Sequence, residues 1–383
     1  MKIMRLRMAG EAFQDEPAGK LPVLRNVLSP GFLLASYWRW CYDISSYTPI
    51  LNFNPPIHTP NCCFSKGDPL NVPQNLASIL QNPVYTSANP VLKKLGCADS
   101  DRLAIIHVDD VGMCQASVAA FETLWDAGIV SSGAVMVPCP WFPAAAQYAS
   151  SHPQADLGVH ATLTCEWQHY RWSPVSTRDS SSGLLDEEGF FPHRSAQVQA
   201  SATPEAAARE LEAQVLRALQ FGMHPTHCDT HMGSVAHPKF MQAYLRLGMG
   251  YRLPLMVMRW SEADWLARGY DLTTASMAAQ AIAGLERAGF PLLDTMASLA
   301  LDQPGDRLEQ ARRALGGLKP GVTHFIIHAA KDTPELRAIA PDWQCRVQDF
   351  ETFQRDELRH FIASEGIRVI GYRDLQNLIP SGG

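Results

Sequence analysis

Four apolar stretches of this chain end in residues that can hold a proton or a cation. "AIIHVDDVGMC" ends in neighbouring carboxylates, Asp109 and Asp110. "DLGVHATLT" carries His160, "PTHCDTHMG" carries His227, Asp229 and His231, and "THFIIHAAKD" carries His328. Adjacent residues of a strand point to opposite faces, so paired acids closing a buried strand raise a question. Either they cap the helix that follows, or they hold something positive. One histidine at a strand end is an ordinary hydrogen-bonded residue, and His227 with Asp229 can be a structural pair in which the carboxylate orients an imidazole. Two acids and several histidines gathered on one face are harder to read that way, because buried, unbalanced carboxylates are costly and a divalent cation removes that cost. One carboxylate plus two imidazoles suits Zn²⁺, Mn²⁺, Fe²⁺ or Co²⁺, whereas Mg²⁺ prefers oxygen ligands. A divalent ion lowers the pKa of water from 15.7 to about 7 in favourable zinc sites. A second aspartate can then act as base, and a histidine on the other side can protonate a leaving amine. That is the minimum equipment for hydrolysing an amide.

These residues share a face only if the elements bearing them run side by side. Strands are expected at 103–108, 133–137, 156–160, 225–229, 254–258, 291–294, 323–328 and 367–371. Helices are expected at 115–128, 203–222, 273–290 and 349–366. The second of these starts on Thr203 and Pro204 and ends on Gly222, a capping residue, a first-turn proline and a terminating glycine. Strands alternating with helices predict an α/β fold with a mostly parallel sheet, here an irregular (β/α) barrel of about seven to eight strands. An open doubly wound sheet is the alternative, but no GxGxxG or Walker A sequence supports it. In either architecture the strands' C-terminal ends gather the chemistry.

The totals bound the rest. The chain has 383 residues, 46% of them hydrophobic, and a formal charge of −6. That is enough for a sizeable core, with no basic footprint for nucleic acid. No apolar run approaches the ~20 residues of a membrane span. "GFLLASYW" is too short, and is poorly placed for a signal peptide. Nine cysteines without a CxxC pair argue against a disulfide framework or a structural zinc site, and a cytoplasmic location is expected. Residues 1–85, rich in Pro, Asn and Ser around "LNFNPPIHTPNCCFSKGDPLNVPQN", show no sustained period and read as a loosely ordered extension. Residues 86–380 read as the barrel domain.

Taken in order, "IIHVDDVGMC", "GVHATLT", "PTHCDTH", "FIIHAA" and "CRVQDFETF" make the chain from about 88 to 376 resemble the YdjC-like carbohydrate (chito-oligosaccharide) deacetylases, relatives of the polysaccharide deacetylases. The resemblance implies an irregular (β/α) barrel and one divalent metal ion, Mg²⁺ or Zn²⁺, magnesium being commonly ascribed to the family. It implies Asp110, His160 and His231 as ligands, Asp109 as base and His328 as a second catalytic group. His227 and Asp229 would stand behind the ligands, and Arg346 lies in the Arg-x-x-Asp region expected near substrate. The implied reaction removes an N-acetyl group from a small sugar or oligosaccharide. Trp167, Tyr170 and Trp172, in the loop after His160, are candidates for stacking on sugar C–H faces. The expected partner is a small acetylated carbohydrate, with no nucleic acid and no membrane; a homodimer is allowed. The chain departs from the family in "HMGSVAH", where many members carry further histidines, and in Ala329, where proline often follows the histidine.

Two other classes compete. "HCD" at 227–229 plus a distant histidine imitates the two-His, one-carboxylate triad of a non-haem iron oxygenase, although the alternating βα pattern speaks against the usual scaffold for it. A non-catalytic sugar-binding module with a structural metal is the other. A spare Asp109 separates that reading from an enzyme, since a structural site needs no free carboxylate beside the ion.

Overall fold

The computed structural model describes Tyr85 and residues 87–380. The expectation for residues 1–85 therefore lies, apart from Tyr85, outside the described residues, as does "GFLLASYW". Seven parallel strands form one sheet: β1 Arg102–Val111, β2 Ser132–Val135, β3 Leu157–Ala161, β4 Cys228–Thr230, β5 Thr295–Ser298, β6 Gly321–Ile327 and β7 Ile367–Val369. Their order is β4-β3-β2-β1-β6-β5. β7 pairs with the first residues of β1, Arg102 to Ala104, while β2 pairs with its later half from His107 onward. Single parallel bridges from Cys228 to Leu255 and from Met258 to Leu293 carry the line from β4 toward β5. The sheet thus curls into an irregular barrel, as the alternating pattern predicts.

Both faces of β1 are buried, but in different surroundings. Ala104, Ile106 and Val108 pack outward in the larger apolar cluster with helix residues such as Phe121 and Leu124. Leu103 and Ile105 point inward with Leu293, Val322, Ile370 and Tyr372, closing the barrel floor. Higher on the same inward face the period of two brings His107 and then Asp109. β6 repeats the plan, with Phe325 and Ile327 outward and Val322 inward, so that His324 and His328 follow Val322 inward. The outer layer is tight: a Cβ at Gly133 would stand 2.6 Å from the Phe121 ring. Emptying that contact by Phe121→Ala would cost about 3–5 kcal/mol.

The helix Pro204–Gln220 keeps its expected ends, since the Thr203 side chain accepts from Ala206 N–H and Gly222 takes φ +79°. Other boundaries moved. The strand expected at 291–294 forms at Thr295–Ser298, and 254–258 contributes bridges only. The helix expected at 349–366 is two helices, Trp343–Thr352 and Asp356–Ser364. The break at 353–355 lets buried Phe353 turn to the sheet, 6.2 Å from the Phe325 ring. It also gives each helix its own attachment: Asp349 accepts from Arg307 and from His328 N–H, while Leu358 and Ile362 join the outer core. Among the described residues no helix is long and apolar enough to cross a membrane, and the six described cysteines are free thiols.

Candidate metal centre and its surroundings

The two neighbouring aspartates reach one site because β1 is irregular where they stand. Its register on β2 shifts between Val108 and Val111, and Asp110 takes φ +60°. In a regular strand Asp110 would face outward, opposite Asp109. The bulge turns it inward, at a cost of order 1–3 kcal/mol for a non-glycine residue in the left-handed region. Neither aspartate caps the next helix; Cys114 holds that position.

Asp110 Oδ1 lies 3.1 Å from His231 Nδ1 and 3.4 Å from His160 Nε2. One ligand atom from each of the three lies within 4.8 Å of the others, and all three residues are buried. Asp110 Oδ1 and His160 Nε2 have no hydrogen-bond partner among the described residues. Their far sides are tied down. His160 Nδ1 is 2.8 Å from Asp229 Oδ1, His231 Nε2 is 3.0 Å from Glu166 Oε2, and Arg346 Nη1 donates to Asp110 Oδ2 at 2.8 Å. A carboxylate behind each imidazole fixes its tautomer and aims the other nitrogen, the usual support of a metal-ligating histidine. Two imidazoles and a carboxylate oxygen, buried and pre-aimed, with Asp110 Oδ1 and His160 Nε2 unsatisfied, fit a divalent ion of the zinc, manganese, iron or cobalt class.

The electrostatics follow from burial against near neighbours. Burial pushes the Asp110 carboxyl up, but Arg346 and His231 overcome it and hold it well below the usual carboxylate range. Burial works against a charged His231, yet Glu166 and Asp110 raise it to about 9. For His160 the same opposition is overcome by Asp229 and Asp109. Asp109 differs. Burial raises it to about 7, against the pull of His160. Its Oδ2 lies 3.8 Å from both His160 Nε2 and His328 Nε2. Burial lowers His328 to about 3.

The other residues singled out in the sequence have partners within the fold. Arg346, expected at the substrate, is 3% exposed and is committed to Asp110 and Asp342; a buried carboxylate needs that charge more than a ligand does. Trp172 is also buried, donating its indole N–H to Thr164 O at 2.8 Å, and Trp167 lies under the Arg346 guanidinium. Tyr170 remains partly exposed, its hydroxyl donating to Met113 O. The three rings form one cluster beside His231, so their faces are largely used on each other. His227 does not pair with Asp229. Its ring stacks on Tyr372 at 3.9 Å and its Nδ1 meets the Thr226 hydroxyl at 3.0 Å. It fits against β3 only because residue 158 is glycine, where a Cβ would stand 2.4 Å from the ring. Asp229 serves His160 and His107 instead, so the iron-type triad of 227–229 is not assembled.

Sequence reasoning missed Glu166, His107 and His324. Glu166 lies in an aperiodic loop and meets His231 only through the fold. His107 and His324 were findable: they stand two residues before Asp109 and four before His328, on the same face by the strand's period.

A family model described as YdjC-like protein matches residues 103–364. A carbohydrate deacetylase of Thermus thermophilus is 33% identical over 277 residues, covering 71% of this chain and 94% of the relative. A carbohydrate deacetylase of Geobacillus stearothermophilus is 32% identical over 280 residues, covering 72% and 99%. Among solved structures, an Enterococcus faecalis protein provisionally named for cellobiose-phosphate cleavage superposes with a TM-score of 0.58 at 23% identity, covering 72% of this chain and 99% of that one, a likeness of fold. With the matched region running from β1 through β6 and holding every residue of the Asp110 group, this chain belongs to the YdjC-like family.

Proposed function

We propose that this chain is a metal-dependent carbohydrate deacetylase that hydrolyses the N-acetyl amide of a small sugar or oligosaccharide, using one divalent ion, Mg²⁺ or Zn²⁺, at Asp110, His160 and His231. The observation that carries the reading is the unsatisfied, buried convergence of Asp110 Oδ1 and His160 Nε2 beside His231 Nδ1, with Asp109 left over next to it. The two relatives named as carbohydrate deacetylases supply the substrate class, and the nitrogen-rich donor set favours zinc over magnesium. A bound ion supplies Lewis acidity toward an amide carbonyl and toward water.

This chain's own residues account for the proton traffic. Asp109 is the base: its Oδ2 lies 3.8 Å from His160 Nε2 and faces the same space as the ligands, where it can take a proton from water. His328 Nε2, 3.8 Å from that oxygen, is placed to pass a proton to the leaving amine. Asp229 and Glu166 hold the ligand imidazoles, and Arg346 holds Asp110 ionised. Tyr170, the partly exposed ring of its cluster, is the aromatic contact left for sugar.

The test is to incubate metal-loaded protein with a panel of N-acetylated mono- and oligosaccharides and measure released acetate. Acetate release that chelation abolishes and a divalent ion restores is the expected result; no release from any member with zinc, magnesium, manganese or cobalt would reject the assignment.

A further inference from the structure

Beside the Asp110 group lies a second set of potential ligands, two of which, His107 and His324, have no part in the proposed reaction. His107, Asp109, Asp229 and His324 each offer one ligand atom, and these lie within 4.8 Å of one another. All four are buried, His107, Asp229 and His324 at 0% exposure. The group stands on the barrel floor: the His107 and His324 rings are 4.5 Å apart, and Tyr372 closes the space below them.

The contacts within it do not add up to a hydrogen-bonded network. His107 Nε2 is approached by Asp229 Oδ2 at 2.9 Å and by Asp109 Oδ1 at 3.3 Å. A single ring nitrogen carries at most one proton, so it cannot serve both oxygens. Neither approach has the alignment of a hydrogen bond: both His107 nitrogens, Asp109 Oδ1, Asp229 Oδ2 and His324 Nε2 are without a partner among the described residues. Buried polar atoms left this way cost about 1–3 kcal/mol each, and every one of the four residues contributes at least one of them. Orientation is supplied from outside. Tyr372 Oη sits 2.9 Å from His324 Nδ1, and the other oxygen of Asp229 is engaged by His160. Each second contact aims an unsatisfied atom inward, the arrangement that supports metal ligands.

We propose that His107, Asp109, Asp229 and His324 form a second cation site, built for a transition ion of the zinc or cobalt class, deeper in the barrel than the Asp110–His160–His231 group. Two imidazoles and two carboxylate oxygens are a four-ligand set of the type such ions take. With no fifth group required, the site is of the closed, structural kind. It meets the proposed catalytic group at Asp109 and Asp229. An ion here takes Asp109 Oδ1 and leaves Oδ2 facing His160 and His328, so it fixes the rotation of the base and lowers its pKa below the value that burial alone gives. Asp229, holding His160 with its other oxygen, ties the two groups together.

The test counts and locates metal in the full-length protein. Wild type, His324→Gln, His107→Asn and His231→Ala are equilibrated with buffered zinc, freed of excess, and analysed for zinc per chain, with circular dichroism as the fold check. His324→Gln and His107→Asn should each hold one equivalent less than wild type, and His231→Ala should lose a separate one. Crystals of the zinc-loaded wild type should show an anomalous peak among the four residues. Zinc content unchanged in both deep-site variants, or no anomalous peak there, overturns the second site. If His231→Ala keeps all its zinc while the deep-site variants lose theirs, the upper assignment fails and this one stands. If the variants misfold, the anomalous map of the wild type decides alone.

Discussion

Arg346 neutralises one oxygen of Asp110 while the other oxygen of the same carboxylate faces His160 and His231. The guanidinium is itself shared with Asp342, and both members of the Arg346–Asp110 pair are buried. Removing one partner of such a pair leaves an uncompensated charge and costs roughly 3–5 kcal/mol. Arg346→Met should therefore lower the urea midpoint sharply. It should also make added zinc or magnesium more stabilising than in wild type, because the cation then meets an unneutralised carboxylate. Equal metal-induced shifts in the two proteins would show that Arg346 does not govern the charge at Asp110.

The neighbouring aspartates should divide the labour. Asp109→Asn is expected to keep metal at the Asp110 group, since that shell stays intact, and to lose roughly 10²- to 10⁴-fold in rate, the scale of lost general base catalysis. Asp110→Asn is expected to lose metal affinity as well as rate, because a neutral amide oxygen is a weaker ligand than a carboxylate. Metal content and acetate release measured on both variants separate the roles, and two unimpaired variants would end the catalytic reading of the pair.

Glu166 is the carboxylate behind His231. Glu166→Ala should weaken metal binding about 10- to 100-fold, the usual cost of removing the partner of a ligating histidine. Glu166→Gln, which keeps an acceptor oxygen but not the charge, should fall between it and wild type. Competition with a chromophoric chelator gives the affinities. An alanine variant that binds as tightly as wild type would mean that His231 is oriented by its backbone alone.

Acid should act on His237, which is in neither metal group. Its Nδ1 accepts from Lys239 N–H at 3.2 Å, capping the helix Pro238–Tyr251. Burial first, and Lys239 second, lower its pKa to about 4. A folded-state pKa below the unfolded value of about 6.5 means that its contribution is fully present above pH 6.5. It is lost as the pH falls toward 4, by at most about 3 kcal/mol at 1.36 kcal/mol per unit. In His237→Asn, where the new side chain caps without titrating, the loss of stability between pH 7 and pH 4.5 should be smaller. Denaturation midpoints at the two pH values test this; an unchanged difference would place the acid sensitivity elsewhere.

Local pattern carried much of this molecule. The strand runs ending in Asp109, His160, Asp229 and His328 were legible because buried parallel strands read as short apolar segments, and because such sheets present their C-terminal ends on one side. The helix after Thr203 was legible because its caps are local chemistry. Two kinds of fact needed the folded chain. The first was direction: a period of two sends Asp109 and Asp110 apart, and only the bulge, with Asp110 at φ +60°, brings both carboxylates inward. The second was partnership across distance. Arg346 stands 236 residues from Asp110, and Glu166 stands 65 from His231. Nothing in the spacing of those residues couples them. They meet because a closing sheet brings its strand ends together, and in that low-dielectric space a buried charge must find its counterpart wherever the chain supplies one.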